Sequence, residues 1–153
     1  MMIWWYSTFY IKRDFPKTRN QDIINLVYEK VFDTIFWDKQ QQEYFLNWTS
    51  RSLAGHVEDK SWCMGLGNRN SGKGVLYDLF KNTFQDYVGS FNAEELLITR
   101  VGDGDVAKKL EWIIPLEFKR LNFSNEIKTE DNKGNKLKLD GACIKKLSGG
   151  GDE

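Results

Sequence analysis

Cysteine and histidine are scarce in this chain. Cys63 and Cys143 lie far apart with no C-x-x-C pair, and His56 is the single histidine. A zinc site is excluded by that poverty, and reduced structural cysteines in an intracellular protein are the expectation. Charge of one sign is not in excess either: 22 Lys plus Arg balance 22 Asp plus Glu. No global basic field announces nucleic acid or membrane, so any nucleic-acid contact has to be local. Long apolar runs are missing too. The aromatic start MMIWWYSTFYIKRDF is broken by Ser7, Thr8, Lys12 and Arg13 before it reaches spanning or signal-peptide length, so no transmembrane segment is expected. Trp4, Trp5, Tyr6, Phe9 and Tyr10 read as a strand or packing segment, with an interfacial membrane role as the alternative. No internal repeat or low-complexity tract is present.

What the chain does have is enough apolar matter for one core: 153 residues, 41% apolar and 14% aromatic. After Pro16, the spacing of Ile24, Val27, Val31 and Ile35 predicts a helix over 20–36. Asp38 is placed to cap a second helix, with Tyr44, Phe45 and Trp48 inward and Gly55 as its stop. These aromatic stripes read as packing. Next come a short apolar run, Trp62-Cys63-Met64 with Leu66, read as a buried strand, and a helix carrying Val75, Leu76, Leu79 and Phe80 at helical spacing to about Phe84. A second short strand is expected over 87–91, then a helical turn over 93–98 capped by Asn92. A turn at Gly102-Asp103-Gly104 leads to a helix capped by Asp105, with Val106, Leu110, Ile113 and Ile114 inward, bent or ended by Pro115. A strand over 119–127, a charged loop over 131–138 and a short helix over 140–147 complete the order.

Between the first strand and its helix lies Gly67-Asn68-Arg69-Asn70-Ser71-Gly72-Lys73, which fits the phosphate-loop pattern G-x-x-x-x-G-K, with Gly74 where Ser or Thr is usual. Glycines let backbone N–H groups curl inward, the helix adds its positive end, and Lys73 reaches the outer phosphates. The bare pattern arises by chance in about one chain of this length in twenty. Its setting between a strand and a helix makes nucleotide binding the preferred reading over a structural turn. A glycine at position 74 cannot hold Mg²⁺ as a hydroxyl does, so nucleotide binding is better supported than metal-dependent hydrolysis. Such sites also use an acid at the end of a neighbouring strand, and Glu126 fits. Asn125 stands where an Asp usually completes the pair. The alternative for Glu126 is a solvated strand-end carboxylate.

Three stretches in this order, GLGNRNSGKGVLYDLF, KRLNFSNEI and LDGACIKKLSGGGDE, resemble the superfamily 3 helicase domain of viral primase-helicases. The type is that of poxviruses and large DNA viruses, with phage and plasmid primase-like relatives. The likeness runs from about Val31 to the last residue and includes LAG at 53–55, YVGSFNAEELL and DVAKKLEW. It implies an α/β fold: an incomplete three-layer P-loop NTPase core of AAA+-like type over 58–153, preceded by a small helical segment over 1–57. It implies ATP and Mg²⁺ as cofactors, Lys73 on the β and γ phosphates, Glu126 orienting water, and Asn125 and Glu126 meeting Mg²⁺ through water. The loop residues Gly67, Asn68, Arg69, Asn70, Ser71, Gly72, Lys73 and Gly74 bind the nucleotide. Lys145, Lys146 and 149–152 match the next motif, and the two lysines are candidate contacts to single-stranded DNA, with a solvated helix face as the alternative. The resemblance further implies a hexameric homo-oligomer and a role in viral DNA replication, in the host cytoplasm or a viral replication compartment. Because the family continues into a sensor asparagine and an arginine finger, the expectation is a helicase fragment from a split, degraded or partly expressed gene, without its primase half. Two alternatives stay open: a non-catalytic nucleotide- or partner-binding remnant, and a small nucleotide kinase. The kinase needs an arginine-rich lid, and only Arg100 and Arg120 follow the loop helix.

Overall fold

The computed structural model describes residues 9–56, 58, 60–98, 111–124, 126–128, 130 and 134–149. The first helical run starts where Asn20 Oδ1 accepts the Ile23 N–H at 3.2 Å, satisfying a donor that the first turn leaves without a helical partner. It comprises α1 (Gln21–Val27), a π-helical turn (Tyr28–Phe32) and α2 (Asp33–Ile35). Ile24, Val27, Val31 and Ile35 are all half-buried, as the stripe predicts. Helix α3 (Lys39–Ala54) begins at Asp38, whose side chain accepts from Gln40 N, and ends at Gly55. There φ is 90°, a left-handed conformation that costs glycine little, and the N–H groups of Gly55 and His56 return to Ser52 and Arg51. Both helices therefore stand where their caps place them.

Two parallel strands, β1 (Val88–Phe91) and β2 (Leu121–Ser124), pair in the register Val88 to Leu121 through Phe91 to Ser124. Alternation across the sheet puts Val88, Leu121 and Phe123 on one face. Helix α4 (Lys73–Phe84) covers that face with Phe80, Phe84 and Tyr77, and α3 adds Phe45, Trp48 and Leu53. Val88 is wholly buried. Aromatic contacts knit the layer: Phe80 lies 6.0 Å from both Phe45 and Phe123, and Tyr77 lies edge-on to Phe123 at 5.5 Å. On the opposite face Phe91 meets Trp112 at 5.1 Å, carried by a 3-10 turn (Glu111–Leu116). Gly89 has no room for a Cβ, which would strike Asn122, Lys119 and Leu116.

Three sequence expectations are corrected. Residues 62–66 form no strand and are exposed, Leu66 by 94%. A strand needs a ladder partner, and among the described residues β1 pairs only with β2. The Trp62 ring still reaches the edge of Phe91 at 6.5 Å. Tyr44 points outward, 64% exposed, because the neighbouring Phe45 and Trp48, one turn apart, take the inward stripe. Ile114 is 67% exposed. A tighter three-residue turn around Pro115 sends Trp112 inward in its place. The helix expected from Asp105, including Val106 and Leu110, lies outside the described residues.

The rest follows the reading. Asn92 Oδ1 accepts Glu94 N at 3.1 Å and starts a short 3-10 turn (Ala93–Leu96). Asp140 caps α5 (Gly141–Leu147), accepting from Ala142 and Cys143 N–H groups. The two are tied by backbone bonds from Ile98 N to Lys138 O and from Asp140 N to Leu96 O. The aromatic start packs as a strap: Tyr87 Oη donates to Phe9 O at 2.8 Å, and Arg13 Nη2 donates to Thr83 O at 2.9 Å. No helix among the described residues is long and apolar enough to cross a membrane. Cys63 and Cys143 are free thiols.

Candidate nucleotide-binding site

The glycine-rich segment curls around the head of its own lysine. Lys73 Nζ donates to Gly67 O, Asn68 O and Ser71 Oγ, each at 3.0 Å. Three acceptors match the three donors of an ammonium group, so the loop closes into a ring of carbonyl and hydroxyl oxygens around one cation. Two left-handed residues make the curl possible, Asn70 with φ 62° and Gly72 with φ 87°, and asparagine and glycine are the residue types that tolerate this. Gly67 is needed for closeness: a Cβ there would stand 2.8 Å from Ser71 Oγ.

Helix α4 starts immediately behind the loop with Gly72 as its cap residue, which has no side chain to accept an N–H. The first helical bond runs from Leu76 N to Gly72 O, so the N–H groups of Lys73, Gly74 and Val75 have no intrahelical partner. All three residues are exposed. Unpartnered N–H groups at the positive end of a 12-residue helix, beside a lysine held only by neutral acceptors, form a receptor for an anion.

The loop has a backing that the sequence did not point to. A Cβ on Gly72 would lie 2.6 Å from Ile35 Cγ1, so α2 packs directly against the loop. Only the core-facing spacing of Ile35 is visible in the sequence, and nothing local links it to position 72.

The remaining candidates are not gathered here. Glu126 is exposed, beyond Ser124 at the end of β2, and among the described residues no hydrogen bond or ion pair joins it to the loop. Asn125 lies outside the described residues. Arg69 is exposed at the loop tip. Lys145 and Lys146 are exposed in the last turn of α5.

Against known proteins, the chain is 29% identical over 139 residues to a Sputnik virophage protein provisionally named helicase V13. The likeness is to a viral helicase-like protein. It covers 91% of this chain but only 17% of the relative's length. No family model matches the chain, and no solved structure matches it.

The donor set around the loop suits phosphate better than a metal ion. Ser71 Oγ is engaged by Lys73, position 74 has no side chain, and no group of three or more His, Cys, Asp or Glu is placed for a metal among the described residues. An ion arriving with a nucleotide would be held chiefly by phosphate oxygens and water, as Mg²⁺ commonly is. A Cβ at Gly74 would meet nothing within 4 Å, so Gly74→Ser adds a hydroxyl without a clash. Mg²⁺ is expected to strengthen ATP binding by roughly 10-fold more in that variant than in the parent, the low end of what a metal's surroundings contribute. ATP titrations with and without Mg²⁺ check this. Equal magnesium dependence would show that the ion is not held from position 74.

Proposed function

We propose that this chain is the nucleotide-binding portion of a viral helicase of superfamily 3 type, with an AAA+-like P-loop NTPase core and ATP as its ligand. The observation that carries the reading is the ring of oxygens around Lys73 set on the uncapped start of α4. The virophage relative supports its placement among viral helicase-like proteins. On binding, Lys73 Nζ exchanges neutral acceptors for phosphate oxygens, while the N–H groups of Lys73, Gly74 and Val75 meet the phosphates from below. Mg²⁺, held by phosphate and water, would neutralise phosphate charge. Glu126 is assigned to orienting the attacking water, and Asn125 with it to the ion's water shell. Lys145 and Lys146 are assigned to the phosphates of single-stranded DNA in a hexameric ring that works in viral replication. The small sheet, with helices on one face and Trp112 on the other, is compatible with a layered α/β core.

Gly74 favours a second reading, nucleotide binding without turnover. Titration calorimetry with ATP tests what the two readings share: saturable binding, competed by inorganic tripolyphosphate, is expected. No heat with either ligand would remove the proposal. Phosphate release with and without single-stranded DNA then separates the readings.

A further inference from the structure

A triphosphate cradle fixes only the tail of a nucleotide, and its base gains affinity from a flat apolar surface nearby. We propose that Trp37 is that surface, a stacking platform for the purine base of a nucleoside triphosphate whose phosphates lie in the Gly67 to Gly74 loop. The inference rests on the nucleotide reading above.

Three consecutive side chains carry it. Ile35 faces the loop, with its Cγ1 2.6 Å from where a Gly72 Cβ would stand. Phe36 is extended, φ −107° and ψ 102°, and turns its ring to Phe45 at 5.1 Å. Alternation across an extended residue returns Trp37 to the side of Ile35. Two residues of extended chain span about 7 Å, so the indole stands beside the loop rather than remote from it.

Trp37 is 94% exposed, and no hydrogen bond or ring contact engages its indole among the described residues. The corner that carries it is nevertheless pinned on both sides. Asp38 Oδ1 accepts Gln40 N at 2.9 Å, and Asp33 Oδ1 accepts from Lys39 Nζ at 2.5 Å and Gln42 Nε2 at 2.8 Å. Exposure of the indole is thus a held position. Single exposed apolar side chains are common, but this one is the largest kind, rigidly presented, and next to an anion receptor. A base laid on its face would cover apolar area and gain stacking. Since stacking reads a π face and not an edge, Trp37 separates nucleotide from bare triphosphate, and hardly separates ATP from GTP.

The test is a calorimetric titration of the wild type, Trp37→Ala and Trp37→Phe with ATP and with inorganic tripolyphosphate. Trp37→Ala is expected to weaken ATP about 5- to 30-fold while leaving tripolyphosphate unchanged, and Trp37→Phe is expected to recover most of the loss. ATP, and not tripolyphosphate, is expected to alter a tryptophan fluorescence component absent from Trp37→Phe. Unchanged ATP affinity in Trp37→Ala, or equal losses for both ligands, overturns the platform. If the wild type binds tripolyphosphate as tightly as ATP, the platform falls and the loop reading stands. If it binds neither, both fall.

Discussion

Replacing Lys73 with alanine is expected to lower ATP affinity by about 30- to 150-fold, the equivalent of about 2 to 3 kcal/mol for a charge-assisted contact to phosphate. The expectation follows from what Lys73 touches. Its three partners are neutral, and the residue is exposed, so the ammonium can leave them for phosphate without uncovering a buried group. When the side chain is removed, Gly67 O and Asn68 O turn to water, and the loss appears in binding rather than in folding. Calorimetry on both proteins measures the first, and thermal melts should differ by no more than about 0.5 kcal/mol in stability, as for other surface changes. Equal affinities in parent and variant would make the loop a turn and nothing more.

Truncating Phe80 is expected to be the more severe change for the fold. Its ring is buried between α3, α4 and the sheet, in contact with Phe45, Phe84 and Phe123. Val88 and Leu121 close the cluster. Removing a core phenylalanine costs about 3 to 5 kcal/mol, a large share of the total stability of a chain this size. Tyr44, outward on α3, supplies the control, since Tyr44→Ala should cost within about 0.5 kcal/mol. Urea unfolding of both variants measures the difference. If the two substitutions cost the same, the inward face of α3 and α4 has been misassigned.

Local chemistry was legible in the sequence, and pairing at a distance was not. Asn20, Asp38, Asn92 and Asp140 each accept an N–H close behind them in sequence, and Gly55 adopts the left-handed stop. Such signals need only nearest neighbours. Glycine and lysine spacing likewise revealed the loop, because its closure spans only Gly67 to Lys73. The segment at Trp62 shows the limit. Its apolar run satisfies the composition of a strand, yet strand formation is decided by a partner's hydrogen bonds, which the run does not contain. Tyr44 and Ile114 erred for a related reason, since adjacent apolar residues compete for one inward stripe and the winner is set by what lies opposite. Ile35 behind Gly72 is a contact between residues 37 apart, invisible without the fold. Glu126 and Asn125 were chosen by the same kind of spacing as the loop, but the strand end that carries them is not joined to it by any contact among the described residues.

The π-helical turn at Tyr28–Phe32 gives that contact a dependence on chain length. Asp33 N reaches back to Tyr28 O, and Thr34 Oγ1 to Glu29 O, so the turn accommodates one residue more than an α-helical turn would. The surplus residue works as a phase shifter. Excise it, and everything downstream rotates by about 100° against everything upstream, carrying Ile35 off the back of Gly72 even though no side chain at the loop has changed. A single-codon deletion between positions 28 and 32 would therefore detune the loop from outside, whereas most substitutions on the exposed side of the same turn would pass unnoticed.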